Sequence, residues 1–383
     1  MRVIQVVPDV YAESAGPAYS VPASAVGLIE NGVDAEVYAV GRMAERKWDC
    51  PIRTFPQAKL AGAITGRSPA LLNALKDAAQ TADIIHTNSI WKFPNVYQDW
   101  AVRGTKCKTV IGPRGTVSKW ALSRSRLKKF IFGHLWQYPA MRAADMFVAS
   151  CQEEADDIRR LGYKQPIAIV PNGIDIPEKI PAEKALRRRM YFLSRIHPKK
   201  NVELLIRCWA KLEDRFPDWD LSIVGPDKGN PYADAMKKLA KDRGCRRVTF
   251  EGEIKGEAKH RFVAASECLV LPTHSENFGM VVAESLAVGT PAICSTGAPW
   301  LGLKENGCGW WVSATEEDFM TAMTEAMSKS RAELVAMGLR GREWMSRDFT
   351  WTGIGAKLKS AYEWLLYGGD KPSHVYLHSD AAD

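Results

Sequence analysis

Short apolar segments alternate with segments of helical pattern along most of the chain, and this alternation limits the fold more than any other feature. Each apolar segment has the length and composition of a buried strand and ends in a turn rich in Gly, Pro or Asn. Strands that alternate with helices pair in parallel, because each connecting helix carries the chain back across the sheet. The pattern therefore predicts an α/β protein with parallel sheets.

The series of strands and helices begins twice. The first strand is predicted at residues 1–8, and a new series starts at 190–193, after a stretch rich in Pro, Lys and Glu that indicates a linker. We expect an N-terminal domain over 1–175, a C-terminal domain over 176–350, and a final helix with a disordered tail over 351–383. Both domains are expected to be Rossmann-like and to face each other across a cleft.

Composition narrows the classes of partner. The net charge of +8 suits nucleic acid, anionic lipid or a phosphorylated substrate. The chain has no zinc-finger spacing, RNA-recognition signature or basic heptad region, so we predict no nucleic-acid partner. The eight cysteines are scattered, without C-x-x-C or metal-ligand spacing, which indicates reduced thiols and a cytoplasmic protein.

The positive charge is concentrated in one region. Residues 100–144 contain no acidic residue, and their Lys and Arg residues are interleaved with aromatic and aliphatic ones. A basic segment with aromatic residues is typical of helices that lie on anionic membranes. We predict that residues 118–138 bind such a surface; the alternative is a helix of the domain that buries its apolar side.

The segment at residues 276–284 combines two carboxylates with the start of a helix. It follows an apolar strand predicted at 268–272, so Glu276 lies in the turn and Glu284 lies inside a helix expected to end at Gly289. The first N–H groups of a helix have no intrahelical partner and attract anions. The segment therefore suits a sugar joined to a diphosphate, although acidic residues at a helix start can simply complement the helix dipole.

Other polar residues of the second domain follow predicted strands. Arg195 and Lys200 follow the strand at 190–193, and both suit a diphosphate. Gly225 follows the next strand, and the turn that contains Ile254 is a candidate for contact with a nucleotide base. The D-x-D sequence at residues 218–220 resembles a metal-binding motif, but it precedes a strand instead of following one, so we predict no metal.

The first domain offers a second set of residues at strand ends. Gly16 lies in the first strand-to-helix turn, where a backbone can approach a phosphate, although a plain tight turn explains it equally. His86 and Asn88 follow the strand at 83–85 and share one face, while Arg114 follows the strand at 108–111. A structural role for His86 and a surface turn at Arg114 remain the alternatives.

Together these residues resemble the retaining glycosyltransferases of family 4 (group 1), which have the GT-B fold. The resemblance rests on the E-x7-E spacing of Glu276 and Glu284, on Arg195 with Lys200, and on the sequences at 171–175, Gly16 and 225–226, in the family's order. The sequences at 86–91 and 113–115 resemble a bacterial subgroup that builds surface polysaccharides. The resemblance implies a final helix that crosses back to the first domain.

The resemblance also implies roles for individual residues. It places Glu276 at the donor sugar as a catalytic or positioning group, together with His86 and Asn88, and it places Arg114 and Trp91 at the acceptor. The residues that it assigns to the donor are Gly16, Arg195, Lys200, Gly225, Ile254, Asn277, Phe278, Gly279, Met280 and Glu284. The family often has a second His where this chain has Asn88, which leaves the role of that position open.

The function that follows is a metal-independent, retaining hexosyltransferase without a cofactor. It would move a hexose from a UDP- or GDP-sugar to a lipid-linked or oligosaccharide acceptor in the synthesis of O-antigen, capsule or exopolysaccharide, at the inner face of the plasma membrane. The alternatives are a GT-B sugar-nucleotide epimerase and an inactive donor-binding scaffold subunit.

Overall fold

The computed structural model describes residues 1–11, 16–43, 46–58, 65–180 and 183–381. The chain forms two compact units, one made of Met1–Gly173 with Trp351–Asp383 and the other of Ile174–Thr350. Each unit is built on a predominantly parallel sheet, so the predicted α/β class and its two Rossmann-like units are confirmed.

The first unit contains one eight-stranded sheet in the order β14-β7-β6-β5-β4-β1-β2-β3. Its strands are β1 (Arg2–Val7), β2 (Asp34–Val40), β3 (Ile52–Phe55), β4 (Ile84–Asn88), β5 (Lys108–Gly112), β6 (Met146–Ala149), β7 (Ile167–Ile169) and β14 (Val375–Tyr376). Its helices are α1 (Gly16–Glu30), α2 (Pro69–Ala78), α3 (Tyr97–Ala101), α4 (Lys119–Ser123), α5 (Arg126–Phe132), α6 (Tyr138–Ala143), α7 (Gln152–Arg160) and α15 (Trp351–Tyr367). All neighbouring strands are parallel except the pair of β14 and β7.

Both faces of this sheet are buried. Along β1, Val3 and Val7 belong to one hydrophobic cluster, whereas Ile4 and Val6 belong to another. Successive side chains of a strand point to opposite faces, so the two clusters lie on the two sides of the sheet. This explains why most positions of the central strands are apolar and do not alternate regularly with polar ones.

The final helix α15 packs on α1 through glycines. A Cβ at Gly355 would lie 2.1 Å from the carbonyl oxygen of Gly27, and a Cβ at Gly27 would lie 2.1 Å from that of Trp351. The two backbones therefore approach each other more closely than any residue with a side chain would allow. Asn31 ties the same helices, since its Nδ2 donates to the carbonyls of Gly27 and Thr352, each at 2.8 Å.

The tail after α15 is ordered over its described residues, so the prediction of a disordered tail is wrong for 368–381. Val375 is fully buried and pairs with Ala168 of β7, and the ion pair of Lys371 and Asp380 closes the loop around this strand. Besides the buried valine, the segment is held by a two-residue strand pairing and scattered hydrogen bonds, such as those of His374 with Lys357 and of Arg159 with Tyr376, and none of these leaves a periodic pattern in the sequence.

The second unit contains a six-stranded parallel sheet in the order β10-β9-β8-β11-β12-β13. Its strands are β8 (Arg188–Leu193), β9 (Trp219–Val224), β10 (Val248–Gly252), β11 (Cys268–Leu271), β12 (Ala292–Ser295) and β13 (Gly309–Val312). Its helices are α8 (Val202–Leu212), α9 (Pro231–Asp242), α10 (Gly256–Ala265), α11 (Met280–Ala287), α12 (Gly302–Glu305), α13 (Glu316–Ser328) and α14 (Arg331–Asp348). Strand β11 lies inside the sheet with every side chain buried, as its unbroken apolar sequence predicts.

Candidate functional site

The loop between β11 and α11 carries Glu276. Helix α11 begins only at Met280, after Gly279, whose φ of 81° is in the left-handed region that favours glycine. The loop is fixed by two bonds: the N–H of Glu276 donates to the carbonyl of Gly297 at 2.6 Å, and Trp300 Nε1 donates to that of Phe278 at 2.5 Å. These bonds fix the loop that leads into α11, and the Cβ and Cγ of Glu276 lie beside Gly279, the residue before the helix.

Lys200 pairs with Glu276. Its ammonium contacts Glu276 Oε1, and the two side chains are only 11% and 12% exposed. Lys200 ends a short 3-10 turn after β8, and the neighbouring carbonyl of Lys199 accepts from the N–H of His274, at 2.9 Å, in the loop after β11. The structure thus brings together two residues that the sequence assigned to one ligand from widely separated positions.

Further positive charge surrounds this pair. Burial lowers the pKa of Lys199, and the nearby charges of Lys200 and Arg195 lower it too, whereas Glu276 opposes the shift. Arg195 is exposed and makes no hydrogen bond to a described residue. An anion bound here would lie close to several cations. Because Glu276 is paired with a lysine, its carboxylate would repel the anion only weakly.

Glu284 faces a partner that the sequence did not indicate. Lys259 of α10 donates to Glu284 Oε1 at 2.8 Å, and the two side chains are 23% and 20% exposed. Glu284 lies one helical turn into α11, as expected for a residue five positions after Gly279. A carboxylate held by a lysine keeps its second oxygen available for hydroxyl groups.

The other predicted donor residues lie at the same edge of the sheet. A Cβ at Gly225 would lie 2.0 Å from the carbonyl oxygen of Ser194, so the loops after β8 and β9 meet at a position where only glycine fits. Ile254 follows β10 and is half-buried, as are Asn277 and Met280 beside α11. Their contact with a donor stays a prediction.

In the first unit, His86 and Asn88 are placed differently from the prediction. They do not follow the strand: both lie inside β4 and are fully buried. His86 Nδ1 shares a hydrogen bond of 2.6 Å with the hydroxyl of Tyr362 in α15, and burial lowers the pKa of His86 well below its usual range. In this structure a neutral, buried imidazole and a buried amide position their neighbours, and contact of either residue with the sugar stays a prediction.

Asn88 holds Arg114. The Asn88 Oδ1 accepts from Arg114 Nε at 3.1 Å and from Nη2 at 2.8 Å, while Asn172 Oδ1 accepts from Nη1 at 3.0 Å. Asn88 Nδ2 in turn donates to Gln5 Oε1 at 2.8 Å. A neutral histidine has one acceptor nitrogen, so a histidine at position 88 could not accept both bonds from the guanidinium. The asparagine that replaces the family's usual histidine therefore holds Arg114 in place.

The charge of Arg114 is not balanced by a carboxylate. Among the described residues, none places a carboxylate oxygen within ion-pair distance of it. Burial lowers the pKa of Arg114, an effect that the more distant Glu154 opposes. Glu154 instead accepts from the N–H of Gly115, and so fixes the turn in which Arg114 adopts a φ of 56°. The hydrogen bonds that Arg114 makes to described residues go to amide oxygens, and a half-buried guanidinium held in this way is suited to an anionic group.

Trp91, the second predicted acceptor residue, lies beside this turn. Its Nε1 donates to the carbonyl of Thr116 at 3.1 Å, and its N–H donates to Gln137 Oε1 at 2.9 Å. Lys129 Nζ lies 5.3 Å from the ring centroid of Trp91. The ends of β4 and β5 and the basic segment therefore meet around Trp91 and Arg114.

The loop before Gly16 lies partly outside the described residues, which omit positions 12–15. Gly16 is the first residue of α1, and no described atom lies within 4 Å of the place where its Cβ would be. Its approach to a phosphate stays a prediction.

In the D-x-D sequence, the second aspartate is paired with an arginine. Arg187 binds both carboxylate oxygens of Asp220, at 2.8 and 2.9 Å, at the start of β9. Across the described ranges, we find no group of three or more His, Cys, Asp or Glu side chains arranged to bind a metal.

Sequence reasoning missed the residues that support the site. Lys259 pairs with Glu284, Tyr362 with His86, and Gln5 with Asn88. None of them belongs to a local motif, and each partner lies more than 20 positions away. Only the packing of helices against strands reveals such pairs.

Two family models match the two units. The model described as "Glycosyl transferase 4-like domain" matches residues 15–173, and the model described as "Glycosyl transferases group 1" matches residues 176–344. Together the two matches extend over nearly the whole chain.

Curated relatives match over part of their length. A "GDP-mannose-dependent alpha-(1-6)-phosphatidylinositol monomannoside mannosyltransferase" from Mycolicibacterium smegmatis is 30% identical over 210 residues, 49% of this chain and 54% of the relative. A "D-inositol 3-phosphate glycosyltransferase" from Rhodococcus jostii is 31% identical over 249 residues, 59% of this chain and 54% of the relative. The chain spans about half the length of the curated relatives it matches.

Solved structures share the fold over almost the full length. Sucrose-phosphate synthase from Thermosynechococcus elongatus superposes with a TM-score of 0.72 at 18% identity, covering 96% of this chain and 100% of that one. Anabaena Alr3699/HepE, solved in complex with UDP and glucose, gives a TM-score of 0.72 at 15% identity, covering 94% and 99%. At this identity the likeness establishes the fold alone.

Proposed function

Because the chain belongs to glycosyltransferase family 4 (group 1) and has the GT-B fold, we propose that it is a retaining, metal-independent hexosyltransferase. Its donor is a UDP- or GDP-linked hexose. Its acceptor is a lipid-linked saccharide or oligosaccharide in the synthesis of a bacterial surface polysaccharide.

The ion pair of Lys200 with Glu276, a residue of the loop before α11, is the observation that carries this proposal. The ammonium, together with Arg195 and the N–H groups at the helix start, suits a diphosphate, and the carboxylate suits the hydroxyls of the attached sugar. Cleavage of the bond between sugar and diphosphate increases the negative charge on the phosphate oxygen. Fixed positive groups stabilise that charge without reorganisation.

The proposed step needs no separate base. The bond between the anomeric carbon and the diphosphate oxygen breaks, and its electron pair leaves with the nucleoside diphosphate. The acceptor hydroxyl attacks the same face of the sugar, and its proton passes to the departing phosphate oxygen. In this scheme Glu276 orients the sugar, and Lys200 stabilises the leaving group.

Two donors merit direct comparison. The M. smegmatis relative is named for GDP-mannose, and the Anabaena structure holds UDP and glucose. If the turn that contains Ile254 binds the base through backbone groups, the side chains there favour neither base. Both nucleotides belong in the first assay.

The acceptor side favours an anionic group. Arg114 is half-buried, bound by amide oxygens, and adjacent to Trp91. A ring stacked on Trp91 with a phosphate near Arg114 would use both residues. The two relatives above are also named for phosphate-containing acceptors.

The experiment that tests the proposal is a transfer assay. The purified chain is incubated with UDP- or GDP-hexoses, with and without diphosphate-linked saccharide lipids, and the products are separated by mass and anomeric configuration. We expect an α-linked product from an α-linked donor, in buffer that contains EDTA. Epimerised nucleotide sugar without acceptor would favour an epimerase, and binding without turnover would favour a scaffold subunit.

We also propose that residues 118–138 bind an anionic membrane surface. The region is not one helix, as the sequence suggested, but α4 and α5 followed by a π-helical turn at Gly133–Gln137. Phe132 and Trp136 pack inward on Phe93, whereas several large apolar side chains point outward. The exposed ones are Trp120, Leu127, Phe130, Ile131 and Leu135, with exposures between 41% and 73%.

Exposed lysines and arginines flank these apolar side chains. The apolar side chains could insert into a bilayer, and the basic ones would attract anionic lipid headgroups. None of the described helices is both long and apolar enough to cross a bilayer. The proposed contact is made by the exposed side chains of residues 118–138, and we place it at the inner face of the plasma membrane.

A vesicle sedimentation assay checks this proposal. We expect binding to phosphatidylglycerol vesicles that weakens in high salt, and little binding to phosphatidylcholine alone. Replacing Phe130 and Leu135 together by serine should weaken binding at least about tenfold, since burying each side chain contributes about 1.5–3 kcal/mol. Leu339→Ser, at a residue 48% exposed on α14, is the matched control. The proposal would be contradicted if binding were equally strong to charged and neutral vesicles and unchanged by the double substitution.

A further inference from the structure

Each of the two carboxylates of the proposed donor site is bound by one lysine from another element. Lys200 contacts Glu276, and Lys259 contacts Glu284 at 2.8 Å. All four side chains are less than a quarter exposed. Lys200 is one of the cations proposed to bind the diphosphate, whereas the proposed transfer step does not use Lys259.

The pairing matters because the proposed ligand is an anion. A nucleoside diphosphate carries several negative charges, and two unpaired carboxylates beside it would repel it. Low exposure increases this effect, since water screens the charges less. A lysine on each carboxylate removes the repulsion while leaving carboxylate oxygens free to accept hydroxyl hydrogens.

Lys259 also fixes where Glu284 points. It reaches from α10 to α11, and its bond to Oε1 selects one rotamer of a side chain that otherwise has three freely rotating bonds. Within the described part of the chain, Glu284 Oε2 has no hydrogen-bond partner. The free oxygen is thus pre-oriented, which reduces the entropy lost when a ribose binds.

We infer that Lys259 is a positioning residue for nucleotide recognition, which holds Glu284 in the orientation that accepts the ribose hydroxyls. The inference rests on the proposed function, since it takes Glu284 as the ribose contact. Through Lys259, helix α10 would then help the protein to distinguish ribonucleotides from nucleotides that lack the ribose hydroxyls.

The test compares affinities for two ligands within each variant. Dissociation constants are measured by calorimetry for UDP and GDP, and for the 2′,3′-dideoxy form of whichever nucleotide binds. In the parent protein we expect the ribonucleotide to bind more tightly. Lys259→Met should reduce this preference about tenfold, the effect expected for a lost hydrogen bond to a charged group, and Lys259→Arg should retain most of it.

Comparing two ligands in one variant removes the effect of partial unfolding, because an inactive fraction lowers the number of sites and leaves the ratio of constants unchanged. Lys211→Met is the matched control, since it removes a lysine from an ion pair with Glu316 elsewhere in the same unit. The double variant Lys259→Met/Glu284→Gln should show no less preference than Glu284→Gln alone, because Lys259 acts through Glu284.

Two results would overturn the inference, and only the second of them would also refute the assignment of Glu284 to the ribose. If Glu284→Gln abolishes the preference and Lys259→Met keeps it, Lys259 is only structural and the proposed function stands. If Glu284→Gln also keeps the preference, the ribose assignment fails together with the inference.

Discussion

A Lys200→Met variant should transfer hexose roughly 10²- to 10³-fold more slowly than the parent, the loss typical of removing one preorganised group that stabilises developing negative charge. The substitution removes the cation proposed to face the leaving diphosphate and leaves Glu276 buried without its partner. Glu276→Gln should also slow transfer, because an amide orients sugar hydroxyls less strongly than a carboxylate. Initial rates at saturating donor and acceptor measure both effects.

The control is Asp220→Asn. It removes a carboxylate from the exposed pair with Arg187 in the same unit, and exposed ion pairs contribute little, so transfer should change by less than about twofold. Because Asp220 belongs to the D-x-D sequence, the same variant tests metal binding there. Thermal melting separates lost stability from lost chemistry, and normal rates in folded Lys200→Met and Glu276→Gln proteins would refute the site assignment.

Gly355→Leu should destabilise the first unit by about 3 kcal/mol, at the upper end of the cost of inserting atoms into a packed interior. The reason is geometric: a Cβ alone would lie 2.1 Å from the carbonyl oxygen of Gly27, so α15 must move away from α1. Hydrogen exchange of peptides from these two helices measures the effect in the unit concerned, because faster exchange reports local opening.

Ala356→Leu is the control for this change. Ala356 is the next residue of the same helix and is exposed, so a leucine side chain there should alter stability by no more than about 0.5 kcal/mol. Equal acceleration of exchange in both variants would show that α15 tolerates bulk at the crossing, against the prediction.

Much of the fold followed from pattern alone. The unbroken apolar sequence at 268–271 and the Gly-rich turns predicted parallel strands inside two sheets, because a strand buried on both faces needs no polar alternation. The tail was the clear failure: β14 is held by one buried valine and a short antiparallel pairing, and neither leaves a periodic signal.

The candidate site was predictable to a different degree in each unit. Glu276, Lys200 and Gly225 were found because residues after parallel strands share one edge of a sheet. His86 and Asn88 were misplaced because a strand can continue into polar residues when buried partners satisfy them. Tyr362 and Arg114 supply those partners from distant parts of the sequence.

The sequence by itself determined the alternation of strands and helices along the chain and the two carboxylates eight positions apart, since both depend on spacing within short segments. Only the tertiary structure decided which charges meet. Lys259 contacts Glu284, and Asn88 binds Arg114, because helix packing and strand register bring together residues far apart in the chain. Such pairs depend on ångström-scale placement of whole elements, and no local pattern of residues encodes that placement.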